Sequence, residues 1–206
     1  MASLYERVVL PKILTWACSQ NPILRQRQKV VPAAEGRVLE LGVGMGYNLR
    51  HYDPEKVTSI TGIDPSPELR AIASRAERDP RLEVRVEDAT AEALPFDDAS
   101  FDSVVCTYTL CSVCTPMAAL SEARRVLKPG GRFLFCEHGL SPDPGVAKWQ
   151  RRIDPVWSKL LGGCHINRPV RGALEAAGFR TEQVETMYLP KMPRIAAWNE
   201  WGAARP

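Results

Sequence analysis

The 206-residue chain holds no apolar run of the roughly 20 residues that a membrane-crossing helix needs. The most apolar stretch near the start, "VVLPKILTWA" (8–17), is broken by Pro11 and Lys12 and lacks a small-residue cleavage site, so it reads neither as a span nor as a signal peptide. Charge of one sign is scarce too: 27 basic against 24 acidic side chains leave +3, too mild to call for nucleic acid. Histidine occurs only three times, and the six cysteines (Cys18, Cys106, Cys111, Cys114, Cys136, Cys164) sit mostly in apolar runs, which argues against a disulfide framework and for a reduced, cytoplasmic setting. Repeats, low-complexity segments and linkers are absent, so one domain over 1–206 is expected.

What is present is alternation. From Gly36 onward, short β-rich runs take turns with helical stretches, the pattern of an α/β sandwich with a mainly parallel sheet. The strand candidates are "RVLELG" (37–42), "VTSITGID" (57–64), "LEVRVED" (82–88), "FDSVVCTYT" (101–109) and "GRFLFCEH" (131–138). "PSPELRAIASRAERD" opens on the capping residue Ser66 and the first-turn proline Pro67 and reads as a helix; "PMAALSEARRVLKPGG" reads as another, stopped by Pro129-Gly130-Gly131. Residues 140–178 form a helical insertion, and "RTEQVETMYLP" and "IAAWNEWGAARP" read as two closing strands. Residues 1–35 read as a helical lid, although Arg7, Lys12, Arg25, Arg27 and Lys29 around apolar positions also suit an anionic membrane surface.

The chemistry is concentrated at strand ends. After the first strand come Gly42, Gly44 and Gly46, which admit a ligand to the backbone; the dinucleotide fingerprint G-x-G-x-x-G would need its third glycine at Tyr47. Glu40 before the loop matches the ammonium of an amino-acid tail, Asp64 at the second strand end matches the hydroxyls of an unmodified ribose, and Asp88 with the Ala89 backbone matches an adenine edge. Each alone also fits a structural duty: a salt bridge for Glu40, a helix cap for Asp64, a turn for Asp88. In order at three successive strand ends, they describe one nucleoside pocket.

"VLELGVGMGYN", "ITGIDPSPELRAIA", "VEDATAEALPFDDASFDSVVC" and "EARRVLKPGGRFLFCEH", covering roughly 36–138, together resemble the class I S-adenosylmethionine-dependent methyltransferases, in the group with an "ALPF" segment. The resemblance implies a Rossmann-like fold of seven strands, the last antiparallel, with S-adenosyl-L-methionine as cofactor. It maps cofactor contacts onto Glu40, Gly42, Gly44, Gly46, Asp64, Asp88 and Ala89, with Pro65 and Ser66 beside the adenine and Thr107 near the methionine part. "CTYTLCSV", "EHG", "WQRRIDPVWSKLLGGCHINR" and "LEAAGF" are similar to the bacterial relatives of the microsomal alkyl thiol methyltransferases, a branch also associated with phospholipid and quinone methylation.

Methyl transfer from a sulfonium needs positioning and exclusion of water more than it needs a strong base. Tyr108, Thr109, Cys111, Glu137, His138, Cys164, His165 and Asn167 are the residues expected nearest the reacting methyl; His138, at a strand end, is the first candidate base or substrate contact and His165 the second, each with a purely bracing role as its alternative. Cys111-Ser-Val-Cys114 has C-x-x-C spacing without a second pair, so packing cysteines are expected and no metal, while the grouping of Cys106, Cys111, Cys114 and Cys164 leaves a soft acceptor such as arsenite as an alternative. Trp149, Trp157, Trp198 and Trp201 are expected either to line an apolar site or to pack. The expected reaction is methylation of a small lipophilic or soft nucleophile, thiol first. The alternatives are a phospholipid or quinone acceptor at the inner membrane surface and a non-catalytic cofactor-binding protein; the oligomeric state is open.

Overall fold

A computed structural model describes residues 10–206. Its centre is a seven-stranded sheet of order β3-β2-β1-β4-β5-β7-β6. The strands are β1 (Gly36–Leu41), β2 (Val57–Ile63), β3 (Glu83–Glu87), β4 (Phe101–Thr107), β5 (Leu127–His138), β6 (Arg180–Tyr188) and β7 (Trp198–Arg205). β1 to β5 pair in parallel, and β7 runs antiparallel to both β5 and β6. This is the Rossmann-like sandwich with a reversed last strand expected from the sequence.

Alternation along the central strands divides the core in two. Leu39, Leu41, Val104, Cys106, Phe133 and Phe135 meet Leu120, Ala123 and Leu174 from α4 (Pro116–Val126) and α6 (Val170–Ala176) on one face. Val38, Val105, Leu134 and Cys136 meet Val30, Val31, Leu49 and Tyr52 on the other. Burial on both faces explains why these strands read as near-continuous apolar runs.

The N-terminal helices are α1 (Leu10–Cys18) and α2 (Asn21–Val30); the expectation for Arg7 falls outside the described residues. Ile23 of α2 is buried in a cluster with Leu189 and Ala197, and the Lys29 ammonium sits 3.7 Å from the Trp201 ring centroid. α2 therefore rests on the C-terminal part of the sheet.

Three boundaries depart from the sequence reading. Helix α3 (Pro67–Ala73), capped by Ser66 accepting from Leu69 N at 3.2 Å, stops well before Asp79. Beyond Ser74 the backbone tightens into Arg75 N to Ile72 O and Ala76 N to Ala73 O bonds, with the Arg78 guanidinium donating to the carbonyls of Ser74 and Ala76. "LKPGG" belongs to β5, because Leu127 already pairs with Phe101 before a register shift. In "IAAWNEWGAARP" the first residues turn as α7 (Arg194–Ala197), and the strand begins at Trp198.

The insertion contributes α5 (Pro144–Leu160) and α6. Gln150 and Asp154 are buried polar anchors within it; Gln150 donates to the carbonyls of Gly139 and Ile195, both at 3.0 Å. One stripe of α5 faces outward, with Trp149 58%, Val156 63% and Leu160 55% exposed. Lys148, Arg151, Arg152 and Lys159 are also exposed on this helix, whose one acid, Asp154, is buried.

Candidate active site

The C-terminal ends of β1, β2 and β4 surround a cavity of about 380 Å³. Its position is the one at which open parallel sheets bind ligands. The wall includes Gly42, Gly44, Asp64, Pro65, Ser66, Ala89 and Thr107 from the expected set. Glu40, Gly46 and Asp88 lie off it.

The glycine loop is built by two constraints. Gly42 (φ +65°) and Gly44 (φ +54°) are left-handed, and a Cβ at Gly42 would overlap the Thr109 side chain at 2.5 Å, whereas one at Gly44 would meet only the Gly42 carbonyl oxygen at 3.8 Å. Gly44 thus leaves its face free for a ligand. Gly46 serves packing: a Cβ there would come within 2.6 Å of Ala76 Cβ.

Asp64 ties the loop to the second strand. Its Oδ2 accepts from Gly44 N at 3.0 Å and its Oδ1 from Ser66 N at 2.9 Å. Burial raises its pKa, while the two backbone bonds and the Arg70 charge pull it back. Each oxygen keeps a lone pair for a further donor. Asp88 instead pairs with Arg70 at 2.9 Å, its side chain 71% exposed, and Arg70 also donates to the Asp64 carbonyl at 2.7 Å.

Glu40 is turned away from the cavity into a buried chain of polar groups. Tyr52 OH donates to its Oε2 at 2.7 Å and Asn48 Nδ2 to its Oε1 at 2.9 Å; Asn48 Oδ1 in turn accepts from Arg27 Nη1 at 3.0 Å. Desolvation pushes the Glu40 pKa up to about 7 against those hydrogen bonds and the Arg27 charge. Arg27, from α2, also donates to Thr107 Oγ1, lines the cavity and stacks over the Tyr108 ring at 5.1 Å, while its buried Nε has no partner. A buried cation with an unused donor on the wall suits a carboxylate. Neither Arg27 nor Asn48 was singled out from the sequence as a site residue; the one available signal for Asn48 was its place closing the glycine loop.

The two histidines lie apart from the cavity wall. His165 Nδ1 meets Asp154 Oδ2 at 2.7 Å, and Asp154 Oδ1 accepts from Ile166 N at 3.0 Å, so this histidine ties the insertion to α5. His138, at the end of β5, has its ring near-parallel to Tyr108 with centroids 6.3 Å apart and its Nε2 at 3.4 Å from Cys164 Sγ. Burial lowers its pKa, but the neighbouring Cys111 and Glu137 charges outweigh this and leave it raised. Cys111 joins the same cluster, whereas Cys114 lines the cavity, so the C-x-x-C pair does not converge. All six cysteines are free.

The Glu137 carboxylate sits beneath this group. Its Oε1 accepts from Thr109 N at 2.8 Å and Leu110 N at 3.2 Å, and desolvation raises its pKa to about 7. Trp149 is exposed, Trp157 is half-buried with no hydrogen-bond partner on its indole nitrogen, Trp198 donates to Glu200, and Trp201 belongs to the core.

Residues 39–135 match the family described as "Methyltransferase domain". Human thiol S-methyltransferase TMT1B is 34% identical over 199 residues, 91% of this chain and 81% of that protein. Human thiol S-methyltransferase TMT1A is 37% identical over 163 residues, 77% of this chain and 66% of that protein. A solved structure from Thermotoga maritima, described as an S-adenosylmethionine-dependent methyltransferase and possible histamine N-methyltransferase, superposes with a TM-score of 0.68 at 24% identity, covering 98% of this chain and 97% of the other. That last likeness speaks for the fold, and the two human relatives carry the family. With a cofactor cavity at the β1, β2 and β4 ends and these relatives across most of its length, the chain belongs to the class I S-adenosylmethionine-dependent methyltransferases.

Proposed function

We propose that the acceptor is a small lipophilic thiol. The observation that carries this reading is the 34% identity to a thiol S-methyltransferase over 91% of the chain. S-Adenosyl-L-methionine supplies an activated methyl on a sulfonium. Asp64 takes the ribose hydroxyls, the backbone at Gly42 and Gly44 takes the amino-acid part, Ala89 borders the adenine, and Arg27 takes the methionine carboxylate with Thr107 beside it.

The rest of the cavity wall favours a soft, apolar acceptor. Val43, Met45, Leu69, Ala91 and Val113 contribute hydrocarbon and thioether surface. Of the two acids among the described wall residues, Asp64 holds two backbone amides and turns its remaining lone pairs to the ribose, and Glu92 Oε1 accepts from Cys114 N at 2.7 Å. A thiol ionises far more readily than an alcohol and so suits such a wall better. Matched thiol, amine and quinol acceptors, with product detection by mass, test this. The thioether should form at least about tenfold faster than any other product. Equal turnover of a quinol would overturn the thiol reading.

A second reading concerns where the acceptor comes from. The exposed Trp149, Val156 and Leu160 stripe on α5, flanked by four exposed cations and no exposed acid, fits an anionic bilayer surface. α5 leads directly into Gly162 on the cavity wall, so a lipophilic acceptor would enter from that side. The chain should co-sediment with phosphatidylglycerol-containing vesicles at low salt, and a Trp149→Ala, Val156→Glu pair should cut binding about fivefold. No co-sedimentation at low salt would remove the membrane from the account.

A further inference from the structure

Three segments far apart in the chain bring soft ligand atoms together: Cys111 from the loop after β4, His138 from the end of β5 and Cys164 from the insertion. Their sulfur and imidazole nitrogen atoms all lie within 4.8 Å of one another, and Cys164 Sγ is 3.4 Å from His138 Nε2. Around a tetrahedral zinc ion, bonds of about 2.3 Å to sulfur and about 2.0 Å to nitrogen put neighbouring ligand atoms about 3.5 Å apart. The cluster is already near that spacing.

The surroundings suit a cation as well. Glu137 Oε2, next to His138 in the chain, is buried without a hydrogen-bond partner. Packing cysteines would have no need of such convergence. Two thiolates offset a divalent charge, and the soft sulfur pair with one imidazole selects zinc over magnesium or calcium.

We propose that Cys111, His138 and Cys164 form a zinc site whose fourth coordination position takes the sulfur of the acceptor. Three protein ligands with one open place is the arrangement of catalytic zinc. Tyr108, Thr109, Ser112 and Gly162, all on the cavity wall, flank the ligands along the chain. The acceptor R–SH would form a sulfur–zinc bond, give its proton to solvent and keep the electron pair on sulfur, ready for the methyl. The metal site stands independently; its use for acceptor sulfur rests on the thiol reading.

The full chain, loaded with zinc sulfate and gel-filtered, should retain about one zinc per chain. Cys111→Ser and Cys164→Ser should lose most of it, while Cys114→Ser retains it. Equal retention in all variants, or none in the unaltered chain, overturns the proposal. Because the serine variants risk misfolding, cobalt loading of the unaltered chain provides a second readout: an intense sulfur-to-cobalt band is expected, and its absence overturns the site. Adding a simple alkyl thiol without cofactor should shift the visible cobalt bands, and no shift overturns the open-position role. A shift with no methylated thiol formed in the turnover assay leaves the zinc site standing and removes the thiol function instead.

Discussion

Asp64→Ala should weaken S-adenosylhomocysteine binding by about a hundredfold, the value of two charge-assisted hydrogen bonds. The carboxylate does two things at once. It faces the cavity at the end of β2, and it holds the Gly44 and Ser66 amides at 3.0 and 2.9 Å. Alanine would release the glycine loop and abandon the ribose together. Asp64→Asn separates these duties, because an amide has one accepting oxygen and its NH₂ opposes whichever backbone N–H it meets. A loss between the unaltered chain and alanine is therefore expected, on the order of tenfold. Calorimetric titration decides it; an unchanged dissociation constant for Asp64→Ala would remove Asp64 from the cofactor site.

Arg27→Met should cost about a hundredfold in affinity for S-adenosylhomocysteine and leave 5′-methylthioadenosine binding unchanged. The two ligands share the adenosine and differ in the amino-acid end, so the contrast isolates the carboxylate contact. Methionine keeps the length and apolar bulk of the arginine stem while removing the charge. A parallel loss for both ligands would mean that Arg27 shapes the cavity rather than holding a carboxylate. The variant also uncovers Glu40, whose pKa of about 7 is moderated by Arg27, so Glu40 should take up a proton when the cation goes.

The legible part of the molecule was the part encoded locally. Strand order and type followed from apolar runs, because parallel strands buried on both faces carry their pattern within a few residues. Gly42, Gly44, Asp64, Pro65, Ser66, Ala89 and Thr107 reached the cavity wall because each sits at a strand end or in the turn after it. Glu40 and Asp88, chosen by the same rule, point elsewhere in this structure. Asn48 and Tyr52 offer Glu40 two donors behind the loop, and Arg70 offers Asp88 a cation at the surface.

Long-range convergence was legible only as a neighbourhood: Cys111, His138 and Cys164 were expected near the reacting methyl, without any sign of which of them meet. The C-x-x-C spacing drew attention to Cys111 and Cys114, yet Cys111 meets Cys164 from the insertion and His138 from β5. Arg27 looked like one of several surface cations until α2 was seated over the sheet, which buried its guanidinium against Asn48 and Thr107. The end of α3 lies against the glycine loop, so close that a Cβ at Gly46 would overlap Ala76 and crowd Ala73, a proximity that no local pattern carries.

The seat of α2 also bears on the order in which the protein folds. This helix precedes the sheet in the chain, but Ile23 and Lys29 rest on Leu189, Ala197 and Trp201, which follow its fifth strand. Contacts so distant in sequence form late, because a long loop must close before they do. Arg27 is therefore brought to the cavity only when β7 is in place, and a partly folded chain that already has the glycine loop and Asp64 should hold its cofactor poorly.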